Sequence, residues 1–225
     1  MFFSCPIPEV AEMCLLCQSV FKPDLSPLKL KLCPSCFSLS WSPQLSPLSS
    51  DLQSAPPFFT YTLFRSHSPL YSLLKESKGL GNSRLLSDLL HGSAILFNPL
   101  KDWIEQSTTS PLFVPLCPRK SHLQKRGIHP PFIIAQTLHH FFIKETDLQY
   151  NTLKRVKTSH PQVRLPLSDR LTAQKHTLQA KVDLACRTII LVDDVLTTGG
   201  TFLEAQRACL DVKASRCYAI ALFRG

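Results

Sequence analysis

The chain has 225 residues, 44% of them hydrophobic, and a formal net charge of +9 at pH 7. This length favours one globular domain with at most a small appendage. No apolar run is long enough for a transmembrane helix, and the N-terminus lacks the basic start of a signal peptide, so we expect a cytoplasmic protein without a membrane span. The positive charge favours polyanionic partners such as nucleotides, phosphates or nucleic acid.

The first cysteines of the chain have the spacing of a zinc site. Two CxxC pairs, Cys14 with Cys17 and Cys33 with Cys36, are separated by fifteen residues. Two such turns can place four thiolates around one Zn²⁺ in a closed, structural site. We therefore predict a zinc module over residues 1–40, the alternative being four free, reduced cysteines. The remaining cysteines stand singly, and most of them lie in or beside apolar patterns that are typical of a protein core.

A stretch rich in serine and proline follows, and residues 41–57 are predicted as a linker without helix or strand. Residues 58–225 are predicted to form the main domain. The apolar spacing predicts helices from residue 69, around residues 85–90, and over 130–143 and 200–213, with strands at 112–116, 188–192 and 217–223 and a weaker strand at 148–153. Strands that alternate with helices indicate an α/β fold with a parallel sheet.

The segment LVDDVLTTGGTFLEA places two carboxylates at the end of the apolar strand 188–192. Ligands of parallel α/β sheets bind beyond the carboxyl ends of the strands. Asp193 and Asp194 can accept hydrogen bonds from the vicinal hydroxyls of a sugar. The loop Thr197, Thr198, Gly199, Gly200 and Thr201 offers hydroxyls and backbone N–H groups at a helix start, where a phosphate is favoured. The alternative is an ordinary tight turn before an N-capped helix.

This segment resembles the phosphoribosyl pyrophosphate (PRPP) motif of type I phosphoribosyltransferases. The resemblance implies a Rossmann-like sheet with a flexible hood. It implies that Asp193 and Asp194 hold the ribose hydroxyls as the catalytic pair and that the loop from Thr197 to Thr201 holds the 5′-phosphate. Mg²⁺ would bridge the pyrophosphate, which would leave the anomeric carbon through an oxocarbenium-like state.

More of the chain is similar to the ComF family of competence-associated proteins, in which a double-CxxC module precedes a phosphoribosyltransferase domain. VPLCPRKSHLQKRGI at 114–128 is similar to the strand and pyrophosphate loop of that family, with Lys125, Arg126 and Gly127 at the matching end. Residues 153–170 resemble its hood, where the matching positions are Arg155, Thr158, Gln162, Leu167 and Arg170. The chain departs from the family at Ile128-His129-Pro130-Pro131, where polar side chains are expected, and after Arg170.

Two functions therefore stay open. The first is a phosphoribosyltransferase that binds PRPP and Mg²⁺ and acts on an unknown acceptor. The second is a ComF-like accessory protein in DNA uptake, whose basic face contacts single-stranded DNA or other competence proteins. Residues 150–187 carry eight lysines and arginines against two acidic residues, a balance that suits either use.

Overall fold

The structure is a computed structural model that describes residues 12–13, 20–21, 34–36, 41–48, 58–92, 97–98, 100, 110–142, 146–156 and 177–225. Near the N-terminus, β1 (Glu12–Met13) pairs antiparallel with β2 (Val20–Phe21). Cys14, Cys17 and Cys33 lie outside the described residues, whereas Cys36 is buried in the main hydrophobic core. The zinc site therefore stays a prediction.

The domain is built on a six-stranded sheet with the order β3-β4-β10-β9-β5-β6. Its strands are β3 (Trp41–Leu48), β4 (Phe58–Arg65), β5 (Leu112–Pro115), β6 (Asp147–Leu148), β9 (Thr188–Leu196) and β10 (Arg216–Arg224). All neighbouring strands are parallel except β3, which pairs antiparallel with β4 at one edge. The predicted α/β fold with a mostly parallel, Rossmann-like sheet is confirmed.

Five described helices and a second, small sheet complete the domain. The helices are α1 (Pro69–Leu80), α2 (Ser83–Gly92), α3 (Lys120–Arg126), α4 (Pro130–Phe141) and α5 (Gly200–Leu210). The small sheet pairs β7 (Leu153–Arg155) antiparallel with β8 (Leu178–Ala180). None of the helices in the described part of the chain is long and apolar enough to cross a membrane.

The central strand β9 is buried on both faces of the sheet. Ile190 and Val192 belong to one core, which α1, α2 and α4 cover, and Ile189 and Leu191 belong to a second core, which α5 and β8 cover. A strand between two helical layers must be apolar at every position, which is why this segment reads as a continuous apolar run rather than an alternation.

The prediction of a linker without strand structure at residues 41–48 is wrong, because Trp41–Leu48 forms the edge strand β3. Its prolines, Pro43 and Pro47, are exposed, and an edge strand tolerates proline because one of its sides needs no ladder hydrogen bond. Leu45 lies opposite Tyr61 of β4, and the hydroxyl of Thr60 donates to the carbonyl of Ser46 at 3.2 Å. Residues 49–57 lie outside the described residues, and the domain boundary stays a prediction.

Several predicted boundaries shift. The strand predicted at 188–192 continues to Leu196, so that Asp193 and Asp194 lie inside β9 and not after it. The helix predicted over 200–213 ends at Leu210. The weak strand at 148–153 is instead the end of β6, a turn and the start of β7. The segment matched to a pyrophosphate loop contains the short helix α3.

Candidate functional site

The two aspartates of β9 lie where the strand reaches the carboxyl edge of the sheet. The backbone N–H of Asp194 donates to Oδ1 of Asp193 at 2.9 Å. Burial of the carboxyl group, and next the charge of Asp194, raise the pKa of Asp193 to about 8. The Asp193 carboxyl group is therefore mostly protonated at neutral pH when no cation or hydroxyl ligand is bound beside it.

A lysine that the sequence did not single out contacts this pair. Nζ of Lys78, in the last turn of α1, lies 2.6 Å from Oδ2 of Asp194, and both side chains are largely buried. The end of α1 packs closely on the end of α3, because a Cβ atom at Gly81 would lie 2.6 Å from the carbonyl oxygen of Arg126. Only glycine fits this turn, whose φ is 63°. This approach brings Lys78 over the carboxyl edge of the sheet.

The loop after β9 is held tightly at one glycine and exposed at its threonines. Gly199 has a φ of 75°, and a Cβ atom there would lie 2.6 Å from Cδ2 of Leu48 on β3. Thr197 and Thr198 are exposed, and α5 begins at Gly200. The loop therefore presents two hydroxyls beside the N-terminus of an eleven-residue helix, an arrangement that favours an anion.

The carboxyl end of β9 opens onto one cavity of about 360 Å³. Its polar and charged lining comes from four parts of the fold and consists of Arg119, His122, Arg126, His129, Arg155, Asp193, Asp194 and Thr201. A second cavity, of about 420 Å³, lies near the amino ends of β4 and β10 against Phe59, Tyr61 and Tyr218. It has no charged side chain in its lining, so the first cavity is the better candidate for an anionic ligand.

The cavity is predominantly cationic, with its histidines held neutral. Nε of Arg155 donates to the carbonyl of Cys117 at 3.1 Å, which fixes the guanidinium beside β5. Burial lowers the pKa of His129, whose Nε2 lies 2.8 Å from the carbonyl oxygen of Leu116. The pKa of His122 is also lowered, by burial and by Arg126. At neutral pH the arginines therefore carry the positive charge of this cavity.

The structure brings together part of the predicted site. Arg126, Arg155, Asp193, Asp194 and Thr201 all line the cavity. The other loop residues, Thr197, Thr198, Gly199 and Gly200, lie next to it in the turn, while Lys125 and Gly127 lie at the end of α3 and outside the lining. The predicted hood residues Thr158, Gln162, Leu167 and Arg170 lie outside the described residues.

Sequence reasoning missed Lys78, Arg119, His122 and His129 as residues of the site. Arg119 and His122 stand within the segment that was matched to a pyrophosphate loop, so that segment as a whole was a usable signal. His129 stands where the sequence departs from the family pattern that it resembles. Lys78 lies in an amphipathic helix, where a lysine ordinarily marks the solvated face.

The carboxylates of Asp193 and Asp194 are of the kind that Mg²⁺ takes as ligands in enzymes that bind phosphates. Mg²⁺ is commonly held by one or two carboxylates together with waters and substrate phosphates. Asp193 and Asp194 would supply the carboxylates, and the ligand would supply the phosphates. Within the described residues no group of three or more histidine, cysteine or acidic side chains could hold a metal ion by itself.

No family model matches the chain. Over 191 residues, 81% of this chain and 79% of the relative, it is 27% identical to the DNA utilization protein YhgH of Salmonella typhi.

Similar solved structures include three phosphoribosyltransferases. The purine enzyme of Pyrococcus horikoshii is 15% identical, with a TM-score of 0.39, and the match covers 63% of this chain and 84% of that one. The hypoxanthine enzyme of Staphylococcus aureus is 9% identical, with a TM-score of 0.40 and coverage of 70% and 72%. The adenine enzyme of Leishmania donovani is 11% identical, with a TM-score of 0.41 and coverage of 80% and 86%.

Proposed function

We propose that the domain binds PRPP or a related phosphoribosyl ligand together with Mg²⁺, in the cavity at the carboxyl edge of the sheet. One observation carries the proposal: the acidic pair Asp193 and Asp194, Thr201 in the first turn of α5, and three arginines border one cavity. This is the distribution of charge that a sugar with an anionic group at each end requires, because hydroxyls need acceptors and phosphates need donors.

Each part of the ligand then has a partner in the cavity. Asp193 and Asp194 accept hydrogen bonds from the ribose diol, and the N–H groups and hydroxyls of the loop up to Thr201 donate to the 5′-phosphate. Arg119 and Arg126 face the pyrophosphate. A bound Mg²⁺ would neutralise charge on the pyrophosphate as a leaving group. The protein positions the ribose and stabilises charge at the anomeric carbon, as a phosphoribosyltransferase does.

We further propose that the protein is ComF-like and serves the use of DNA taken up by the cell, with the predicted zinc module as a structural part. Two observations support this second level of function. The chain is similar to a protein named for DNA utilization, and the rim of the cavity is rich in arginine. The same cationic rim that faces pyrophosphate can contact the backbone phosphates of single-stranded DNA.

Isothermal titration calorimetry with PRPP and MgCl₂ tests the ligand. We expect saturable binding to the wild-type protein and none to the double variant Asp193→Asn/Asp194→Asn. The matched control is Asp88→Asn, which removes an exposed carboxylate on α2 and should bind as the wild type does. Equal affinity in the double variant would refute the assignment of the acidic pair, and absence of binding to the folded wild type would refute the ligand.

Fluorescence anisotropy with a labelled single-stranded oligonucleotide tests the DNA role. We expect an affinity that falls steeply with salt, because each phosphate contact releases a counterion. PRPP with Mg²⁺ should displace the oligonucleotide if both use the arginine rim. Binding that PRPP leaves unchanged would place the DNA elsewhere on the protein, and binding insensitive to salt would exclude a phosphate-contacting mode.

A further inference from the structure

A largely buried ion pair on α5 holds the backbone of a strand in the small sheet. Nε of Arg207 donates to Oε2 of Glu204 at 3.0 Å, and the glutamate is 6% exposed. Oε1 of Glu204 accepts from the backbone N–H of Leu178 at 3.2 Å, while Arg207 donates to the carbonyl of Leu178 at 2.9 Å. Both backbone groups of the first residue of β8 are therefore bound by side chains of one helix.

Leu178 lies directly opposite Arg155, one of the three arginines that line the cavity. The register pairs Arg155 of β7 with Leu178 of β8, and Leu178 itself is fully buried in the core under α5. Arg155 is the last residue of β7, and it reaches the carbonyl of Cys117 across the cavity wall. The ion pair thus holds the backbone of Leu178, the residue directly opposite Arg155.

Stability alone does not account for a buried ion pair between Glu204 and Arg207. Burying a carboxylate is costly, and a buried ion pair is often no more stabilising than apolar residues of the same volume. A charged pair does, however, provide directed hydrogen bonds that define one position of a backbone. Glu204 and Arg207 aim such bonds at Leu178, and they project from the helix whose first residues form the candidate phosphate loop.

We propose that Glu204 and Arg207 are positioning residues for Arg155, and that they hold its guanidinium at the cavity in register with the loop that begins α5. This inference rests on the proposed phosphoribosyl site and adds residues to it that do not touch the cavity. Because Arg155 extends beside β5 near Arg119, it faces the pyrophosphate end of the ligand. Loss of the ion pair weakens the pyrophosphate contact and spares the ribose 5-phosphate end.

A double-mutant cycle tests the coupling. Calorimetry would compare the wild type with Glu204→Gln, Arg155→Ala and the double variant, using Mg²⁺-PRPP and ribose 5-phosphate as probes. We expect Glu204→Gln and Arg155→Ala each to weaken PRPP about tenfold, the double variant to bind no more weakly than either, and ribose 5-phosphate affinity to change less than about twofold. The control is Asp211→Asn, because Asp211 is an exposed partner of Arg207.

A measurement without ligand separates the two proposals. The alkylation rate of the Cys117 thiol, followed by peptide mass spectrometry, reports on Arg155, because burial raises the pKa of that thiol and the positive charge of Arg155 opposes this rise. Glu204→Gln should lower this rate as much as Arg155→Ala does, whether or not PRPP binds. If the rate falls but the wild type binds no PRPP, the proposed ligand is wrong and the positioning role stands.

The positioning role is overturned if Glu204→Gln lowers the melting temperature but leaves the Cys117 rate at the wild-type value, or if its effect on PRPP adds to that of Arg155→Ala. Because a buried ion pair is broken, circular dichroism must first show that the variant is folded. If it is not, Arg207→Lys replaces it in the same cycle. Lysine keeps the charge for Glu204 but cannot bridge to the Leu178 carbonyl with the same planar geometry.

Discussion

Replacing Asp193 by asparagine should change how the stability of the protein depends on pH. The carboxyl group of Asp193 has a folded-state pKa of about 8, raised mainly by burial, against an ordinary value of 3.8. Between these values the folded state binds a proton that the unfolded state has released. The contribution of Asp193 to stability is therefore complete below the unfolded pKa and is lost as the pH rises through the folded pKa.

The expected magnitude follows from the linkage relation. Each pH unit between the two pKa values costs the wild type up to about 1.4 kcal/mol in free energy of unfolding. From pH 5 to pH 7 the loss is up to about 2.7 kcal/mol, an upper limit because the residue as a whole keeps partial exposure. Asparagine has nearly the same shape and does not titrate. Between pH 5 and pH 7 the free energy of unfolding of Asp193→Asn should therefore rise, relative to that of the wild type, by up to this amount.

Urea unfolding at each pH unit from 5 to 9 measures the difference. Groups that do not interact with Asp193 titrate alike in both proteins, so subtraction isolates the titration of the coupled acidic pair. The control Asp88→Asn, at an exposed position on α2, should follow the wild type throughout. A difference between wild type and Asp193→Asn that stays constant from pH 5 to pH 8 would mean that Asp193 titrates near its ordinary value, and the argument from burial would be refuted.

Three further changes have expected results. Lys78→Met leaves the largely buried Asp194 carboxylate without its cation, so it should lower the free energy of unfolding, measured in urea, by about 3 kcal/mol. The control Lys75→Met, at an exposed lysine above an aromatic ring, should lower it by under about 1 kcal/mol. Equal losses in the two variants would contradict a stabilising role for the Lys78–Asp194 ion pair. Gly199→Ala should destabilise the protein more than Gly127→Ala, because both glycines have positive φ but only a Cβ atom at position 199 would contact a neighbouring side chain. The left-handed backbone alone costs a non-glycine residue about 1–2 kcal/mol, and thermal unfolding of the two variants measures the difference. Cys14→Ser should release the predicted zinc in elemental analysis, and undiminished zinc content would exclude the four-thiolate site.

The buried strand and the glycine turn of the main domain could be predicted from the sequence alone. The apolar run before Asp193 predicts a strand buried on both faces, because hydrophobicity without alternation indicates cover on both sides. The glycines at 199 and 200 allow a tight turn before a helix, which puts the acidic pair and the loop at the same edge of the sheet. These features depend on neighbours within a few residues, and local spacing is sufficient to predict them.

The remaining parts of the site depended on the path of the chain in three dimensions. Trp41–Leu48 became a strand because β4 offered it a free edge, although its own serines and prolines favour loops. Lys78 contacts Asp194 because a turn at Gly81 lets the ends of α1 and α3 pack closely. Arg155 lies at the cavity opposite Leu178, whose backbone is bound by side chains of α5. Such contacts join residues far apart in sequence, and their energies arise from burial and charge that only packing creates.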